Sequence, residues 1–235
     1  NSGTFNISNS TFYNNANPTT SSVSSGGIFN IHAGTATVTN VTLYNNGNGG
    51  TAPSNGAVIY KDAGATLNLN NTIIFSPSGR SIGAECNAAA TSASNNYAGS
   101  TCGGNLGTFS ATDISSTLGS NGGPTQTLAL TDTSVALNAG SNTAASGLSF
   151  DQRGTGFPRI HGATVDIGAF EALLYTPALT ATTTNEDAQS SSGLVITANT
   201  ADAGGTTNYQ ITAITGGALY KNDGSTAVAN NDFIT

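Results

Sequence analysis

Charge is what this sequence has least of. Only 7% of its 235 residues are Asp, Glu, Lys or Arg, against about a quarter in an ordinary soluble domain. Five Lys and Arg side chains cannot neutralise a run of phosphates, which argues against a nucleic-acid partner. Tryptophan and methionine are absent. No apolar run is long enough to cross a bilayer as a helix. Gly-x-Ser-x-Gly, zinc-site and phosphate-loop motifs are missing too. Cysteine occurs twice, as Cys86 and Cys102, flanking a polar loop with no histidine nearby. That spacing suits zinc poorly. A disulfide closing a short loop fits better and implies an oxidising compartment; two buried free thiols are the alternative. The opening Asn1-Ser2-Gly3 already lies in a strand-like pattern with no leader, so the chain reads as a piece of something longer.

Asn, Ser, Thr, Gly and Ala take the place of the missing charge. These small and β-branched residues suit strands and tight turns and carry a helix penalty. Three segments, beginning at Gly3, Gly34 and Ala65, align at an offset of 31 residues. Each alternates with the period of two that marks a strand. Stacked, like falls on like. Ile7, Val38 and Leu69 make one apolar column, and Phe12, Leu43 and Ile74 another. Tyr13, Tyr44 and Phe75 make an aromatic column on the opposite face. Asn9, Asn40 and Asn71 make an asparagine ladder at a bend between two strands. A right-handed parallel β-helix needs this pattern, since one coil cannot bury its own inner face and neighbours supply the core. Half-coil signals at 27–31 and 57–60 precede the next repeats, and the polar stretches 15–26 and 45–56 read as loops leaving the coil. Asn6, Asn9, Asn40 and Asn70 head Asn-X-Ser/Thr sequons, which arise by chance in so Asn- and Thr-rich a chain.

From Gly123 the character changes. Gly123-Pro124-Thr125-Gln126-Thr127-Leu128-Ala129-Leu130 is followed by Ser134-Val135-Ala136-Leu137-Asn138-Ala139-Gly140. Then come Asp151-Gln152-Arg153-Gly154, Phe157-Pro158-Arg159 and Val165-Asp166-Ile167-Gly168-Ala169-Phe170-Glu171. Together with the cysteine pair, this series over 86–171 resembles the C-terminal part of bacterial choice-of-anchor Q surface proteins. The resemblance implies a pectate-lyase-like β-helix body, secretion and cell-surface display. Arg153 and Arg159 lie close to Asp151, Asp166 and Glu171 in sequence, which reads as an ion-paired cap over the last coil, with the domain running over 1–176. Asp166 and Glu171 as a catalytic carboxylate pair is the sharper alternative.

After a linker at Tyr175-Thr176-Pro177, residues 177–235 carry short strand signals and an Asn222-Asp223-Gly224 hairpin turn. Thr184-Asn185-Glu186-Asp187, Gly193-Leu194-Val195-Ile196, Gly217-Ala218-Leu219-Tyr220-Lys221-Asn222-Asp223-Gly224 and Asn231-Asp232-Phe233-Ile234-Thr235 resemble the cadherin-like, immunoglobulin-sandwich repeats of large bacterial adhesins. The resemblance implies a partial β-sandwich, and Ca²⁺ bound by Glu186 and Asp187, with Asp202 and Asp232 as further ligands. Acidic, oxygen-only loop groups suit calcium; solvated loop carboxylates are the alternative, since no dense Asp-x-Asp-Gly loop is present.

The sequence therefore reads as all-β, a right-handed parallel β-helix followed by a partial sandwich. The function expected is a non-catalytic structural or adhesive module of a large secreted bacterial surface protein. Its partners would be copies of itself or cell-surface polysaccharide, with no membrane span in this segment. A polysaccharide-binding or polysaccharide-degrading protein is the alternative. The Tyr13, Tyr44 and Phe75 strip would supply a sugar platform or a contact with a neighbouring chain. In residues 1–80 only Lys61, Asp62 and Arg80 are charged, and His32 and Asp62 fall at similar places in successive repeats. A His-Asp pair can do acid–base work; a surface turn is the alternative.

Overall fold

A computed structural model describes residues 3–17, 27–48, 58–77, 85–99, 101–173, 178–181, 183, 185, 188–190, 195–197, 209–211 and 213–234. Among these the chain is all-β, with fifteen strands and no helix. It divides into two compact units, Asn1–Ala172 and Leu173–Thr235.

The first unit is built on parallel strands: β1 (Thr4–Tyr13), β2 (Ala16–Asn17), β3 (Phe29–Ile31), β4 (Thr35–Tyr44), β5 (Gly47–Asn48), β6 (Ile59–Lys61), β7 (Thr66–Asn70), β8 (Ile73–Phe75) and β9 (Ser92–Ser94). The main sheet runs β1-β4-β7-β9, with β8 also on β4. Its register is the 31-residue offset: Ile7 pairs with Val38 and Phe12 with Leu43. Val38 then pairs with Leu69 and Leu43 with Ile74. A second parallel pair joins β3 to β6. A third joins β2 to β5, so strand pairing continues into the stretches expected to be loops; 18–26 and 49–57 lie outside the described residues.

Each long row bends at one asparagine. Asn9, Asn40, Asn71 and Asn95 have φ of 46°, 53°, 48° and 50°. Left-handed backbone costs most residues roughly 1–2 kcal/mol, and asparagine tolerates it better than any residue but glycine. The pairing skips these positions: Ser8 faces Thr39 and Ser10 faces Val41. The bend splits each row into two arms whose outward faces differ in chemistry. Alternation points Phe29, Val38, Val41, Leu43, Leu67, Leu69 and Ile74 into one inner core, with Phe12 packed edge-on to Phe29 at 5.4 Å. A buried Leu or Ile contributes roughly 1.5–3 kcal/mol, so each apolar column stabilises by several kcal/mol.

The fourth row is shorter and out of period. Ser92–Ser94 pairs with Asn68–Asn70 at an offset of 24, and Asn96 is bridged in turn by Asn105. Cys86 and Cys102, both buried in the inner core, form a disulfide beside this row. The Ala90 N–H bonds the Cys102 carbonyl at 3.0 Å, so the cross-link fastens the end of the core.

The second unit pairs its strands antiparallel: β10 (Ala178–Thr180) with β11 (Val195–Thr197), β12 (Tyr209–Gln210) with β15 (Phe233–Ile234), and β13 (Leu219–Tyr220) with β14 (Ala227–Val228). The expected Asn222-Asp223-Gly224 turn closes β13–β14: Asp223 accepts from the Ser225 and Thr226 amides, and Gly224 sits at φ 69°. Val228 is buried, while Leu179, Val195, Tyr220 and Phe233 are exposed. Among the described residues this unit has antiparallel pairs without a closed apolar core.

The disulfide closes a loop with a sequence separation of 16, for which chain entropy gives about 3 kcal/mol. Replacing both Cys86 and Cys102 by serine should lower stability by about that amount. A urea midpoint for the first unit equal to wild type would refute the end-fastening role.

Candidate functional site

The residues singled out as an end cap belong to chain that bonds the flank of the stack. Segment 138–168 runs along the side of the stack and bonds the bend asparagines of all four rows. The Asn95 amide donates to the Ala139 carbonyl at 2.8 Å. Asn71 accepts from the Ser141 N–H at 2.7 Å and donates to its carbonyl at 3.0 Å. Asn40 donates to the Asp166 and Gly168 carbonyls at 3.1 and 3.4 Å. Asn9 donates to the Phe150 carbonyl at 2.7 Å and accepts from Arg159 Nη1 at 3.2 Å. The segment is a lateral strap, because the bend presents side-chain amides at the flank. The expected ladder along this column survives at one step, Asn71 to Asn40 at 3.2 Å. A fuller inter-row ladder lies at the next corner, where Asn45 bonds Asn14 at 3.1 Å and Asn15 bonds Asn46 at 3.0 Å.

Buried ions hold the strap in shape. Arg153 lies between the Phe157 and Phe170 rings, 4.0 Å from each centroid, and forks onto Asp151 at 2.7 and 2.9 Å. Its Nη2 also donates to the Glu171 carbonyl. Arg159 and Glu171 are both fully buried and pair at 2.6 Å. Glu171 also accepts from the His161 amide at 3.0 Å and the Asp166 amide at 2.9 Å. Asp166 accepts from the amides of Asn138 at 2.7 Å and Ala172 at 2.6 Å. All four oxygens of the suspected catalytic pair are therefore engaged by the protein. Burial, then the nearby Asp166 charge, pushes the Glu171 carboxyl up to about 7 against the pull of Arg159. Burial raises Asp166 as well.

The aromatic column forms, but it is covered. Tyr13 stacks on Tyr44 at 5.8 Å, and Tyr44 meets Phe75 at 5.9 Å. Chain 109–137 lies over it, so Tyr44, Ile73, Tyr97, Ile114, Leu128 and Leu130 make a second core. The Tyr13 hydroxyl donates to the Ser116 carbonyl at 2.9 Å. Alternation aims the three rings outward, and the chain's own apolar residues bury Tyr44 and leave Tyr13 and Phe75 half-buried.

His32 Nδ1 and Asp62 Oδ2 are neighbours at 3.0 Å, exposed on successive turns of the chain. His32, then Tyr60, draws the Asp62 carboxyl below its ordinary value. Of the calcium ligands expected, Glu186, Asp187 and Asp202 lie outside the described residues. Asp232 is exposed and spends Oδ2 on the Ala229 amide at 2.8 Å. Among the described residues no three His, Cys, Asp or Glu side chains gather as a metal site.

One open face remains, on the first arm of each row. Thr4, Thr35 and Thr66 align there, as do Asn6, Thr37 and Asn68, and Ser8, Thr39 and Asn70. The strap's 144–148 stretch borders this face and forms with it a groove of about 180 Å³, lined by Asn6, Ser8, Thr39, Ser146 and Leu148 among others. The alternation that gave the inner columns contains these outer ones too; the wall came from a segment with no period.

At Gly168 the strap's backbone lies close against the stack. Its φ is 101°, and a Cβ there would lie 2.8 Å from Ile73 Cδ1 and Thr42 Oγ1. Gly168→Ala should cost about 3 kcal/mol from strain and overpacking; a urea midpoint unchanged from wild type would contradict the close approach. The raised carboxyls predict the pH response. The folded strap holds protons that the unfolded chain releases above about pH 4.5, so this stability is complete below that pH and lost as pH rises through about 7. Melting of the first unit should therefore fall between pH 5 and pH 8, by the equivalent of roughly 2 kcal/mol, and Glu171→Gln should flatten the dependence. A wild-type melting temperature that rises over this window would reverse the assignment.

No family model, curated protein or solved structure matches the chain.

Proposed function

We propose that the stack is a right-handed parallel β-helix and that the chain is a non-catalytic structural and adhesive module of a large secreted bacterial surface protein. The observation that carries this reading is the use made of its reactive groups. Asp151, Arg153, Arg159, Asp166 and Glu171 are buried and bonded to one another or to backbone, in a strap that ties four rows together. Such a network stiffens a solenoid, whose rows otherwise hold only their neighbours. The disulfide supports an oxidising, extracellular setting. Antiparallel pairing in the second unit fits a partial sandwich repeat of the cadherin-like kind, with Ca²⁺ held by Glu186 and Asp187 and by Asp202 and Asp232. Its exposed Leu179, Val195 and Phe233 are what a further strand or a neighbouring copy would cover.

The rival with an observation of its own is polysaccharide binding, through the open groove rather than the covered rings. Degradation has less behind it, since Asp166 and Glu171 are fully engaged and His32–Asp62 has no companion nucleophile or carboxylate among the described residues.

Electron microscopy of the full-length native protein tests the structural reading. Rods or fibres with a regular axial repeat are expected. Compact particles, together with polysaccharide turnover that Asp62→Ala or Asp166→Ala abolishes, would replace it with an enzyme.

A further inference from the structure

The outer columns treat their polar groups differently along the stack. In rows three and four they satisfy one another or the row before: Asn68 donates to Thr37 Oγ1 at 3.3 Å, and Ser94 donates to Asn70 Oδ1 at 2.9 Å. Towards the first two rows the pairing thins out, and of the groove's polar side chains only Thr37 is engaged among the described residues, by Asn68. Among the described residues the side chains of Asn6, Ser8, Thr39 and Ser146 have no protein hydrogen-bond partner, and all four line the groove.

The groove is preorganised on both sides. Its floor is the in-register β1–β4 pair. Its wall is pinned at one end, where the Ser141 amide bonds Asn71 and the Ser141 carbonyl accepts from the Ala145 amide at 3.1 Å. The Leu148 N–H bonds the Ala145 carbonyl at 3.0 Å, and the Arg159 N–H holds the Ser149 carbonyl at 3.1 Å. Little ordering is left to oppose binding.

The lining decides the chemistry of the occupant. Hydroxyls both donate and accept, and so does the amide of Asn6. Ile7, Ala144 and Leu148 add apolar surface. No charged side chain lines the groove, so an ionic ligand would lose water and find no counter-charge. The volume of about 180 Å³ falls below the range of sites for drug-sized ligands. A polyhydroxylated ring with one C–H face fits both size and polarity.

We propose that this groove binds one residue of a neutral, hydroxyl-rich glycan and is the adhesive surface of the first unit. The proposal develops the polysaccharide-binding reading given above, as the contact through which a structural module would adhere, and rests on the proposed function for the setting alone.

Affinity gel electrophoresis of the full-length native protein tests it, with soluble β-glucan, α-mannan and galactan as neutral probes, and polygalacturonate and dextran sulfate as anionic ones. Retardation by at least one neutral polymer is expected, with none by the anionic pair. Ser8→Ala with Thr39→Val, both on a solvent-facing surface, should weaken retention at least tenfold at an unchanged melting temperature. Ser146→Trp, which fills the groove from the wall, should do the same without touching the strands. No retention on any neutral polymer, retention unchanged in both variants, or preference for the anionic polymers would each overturn the proposal. Rods or fibres seen alongside such a failure would leave the structural reading standing and remove the groove alone.

Discussion

A left-handed asparagine at the same place in every row is the constraint on which the first unit depends. The conformation is open to few residue types, and asparagine brings with it a side chain that both donates and accepts. Asn9, Asn40, Asn71 and Asn95 therefore do two things at once. Their backbones turn each row, dividing it into an arm with an open polar face and an arm with a covered aromatic face. Their amides then hold the strap that crosses the corner. Glycine would satisfy the backbone and leave the strap without its four attachment points. Alanine would satisfy neither requirement.

The strap explains where the charge has gone. Residues 1–172 contain eleven Asp, Glu, Lys and Arg side chains, and six of them, Asp113, Asp151, Arg153, Arg159, Asp166 and Glu171, are buried. That inverts the usual preference of these residues for the surface. A buried pair is weak evidence of net stabilisation, because desolvation offsets much of the attraction. Its clearer effect here is geometric. Losing one member would strand a charge inside the protein, so the strap closes completely or at high cost. Arg153, held between two phenylalanine rings, and Arg159 both bond Glu171, and so tie the middle of a segment without regular secondary structure to the chain that follows it.

What was legible in the sequence follows from which interactions repeat. The offset of 31 residues could be read directly, because stacking puts like on like, and Ile7–Val38–Leu69 and Phe12–Leu43–Ile74 are the registered columns. The fourth row escaped, since its offset is 24 and Ser92–Ser94 carries no large apolar residue. The strap's charges were visible as a cluster, but their target was not: Asn40 and Asp166 lie 126 residues apart, and no period connects them. The aromatic column was legible and its fate was not. Ile114, Leu128, Leu130 and Ala136, which cover it, are scattered through turn-rich chain where neither helical nor strand spacing marks a buried face.

The same logic separates the two outward faces. An aromatic column left in water would be a large apolar patch, and the chain spends residues 109–137 covering it. A column of threonine, serine and asparagine makes no such demand, because water satisfies it without cost to the fold. That face can stay open, and its polar groups are free to meet a ligand wherever the rows do not satisfy one another. Near the first two rows they do not, and there the strap supplies a wall. With charge absent from the groove, what it offers is the geometry of neutral donors and acceptors alone. The difference between the two faces thus follows from what water can satisfy: an apolar column has to be covered by chain, and a polar one does not.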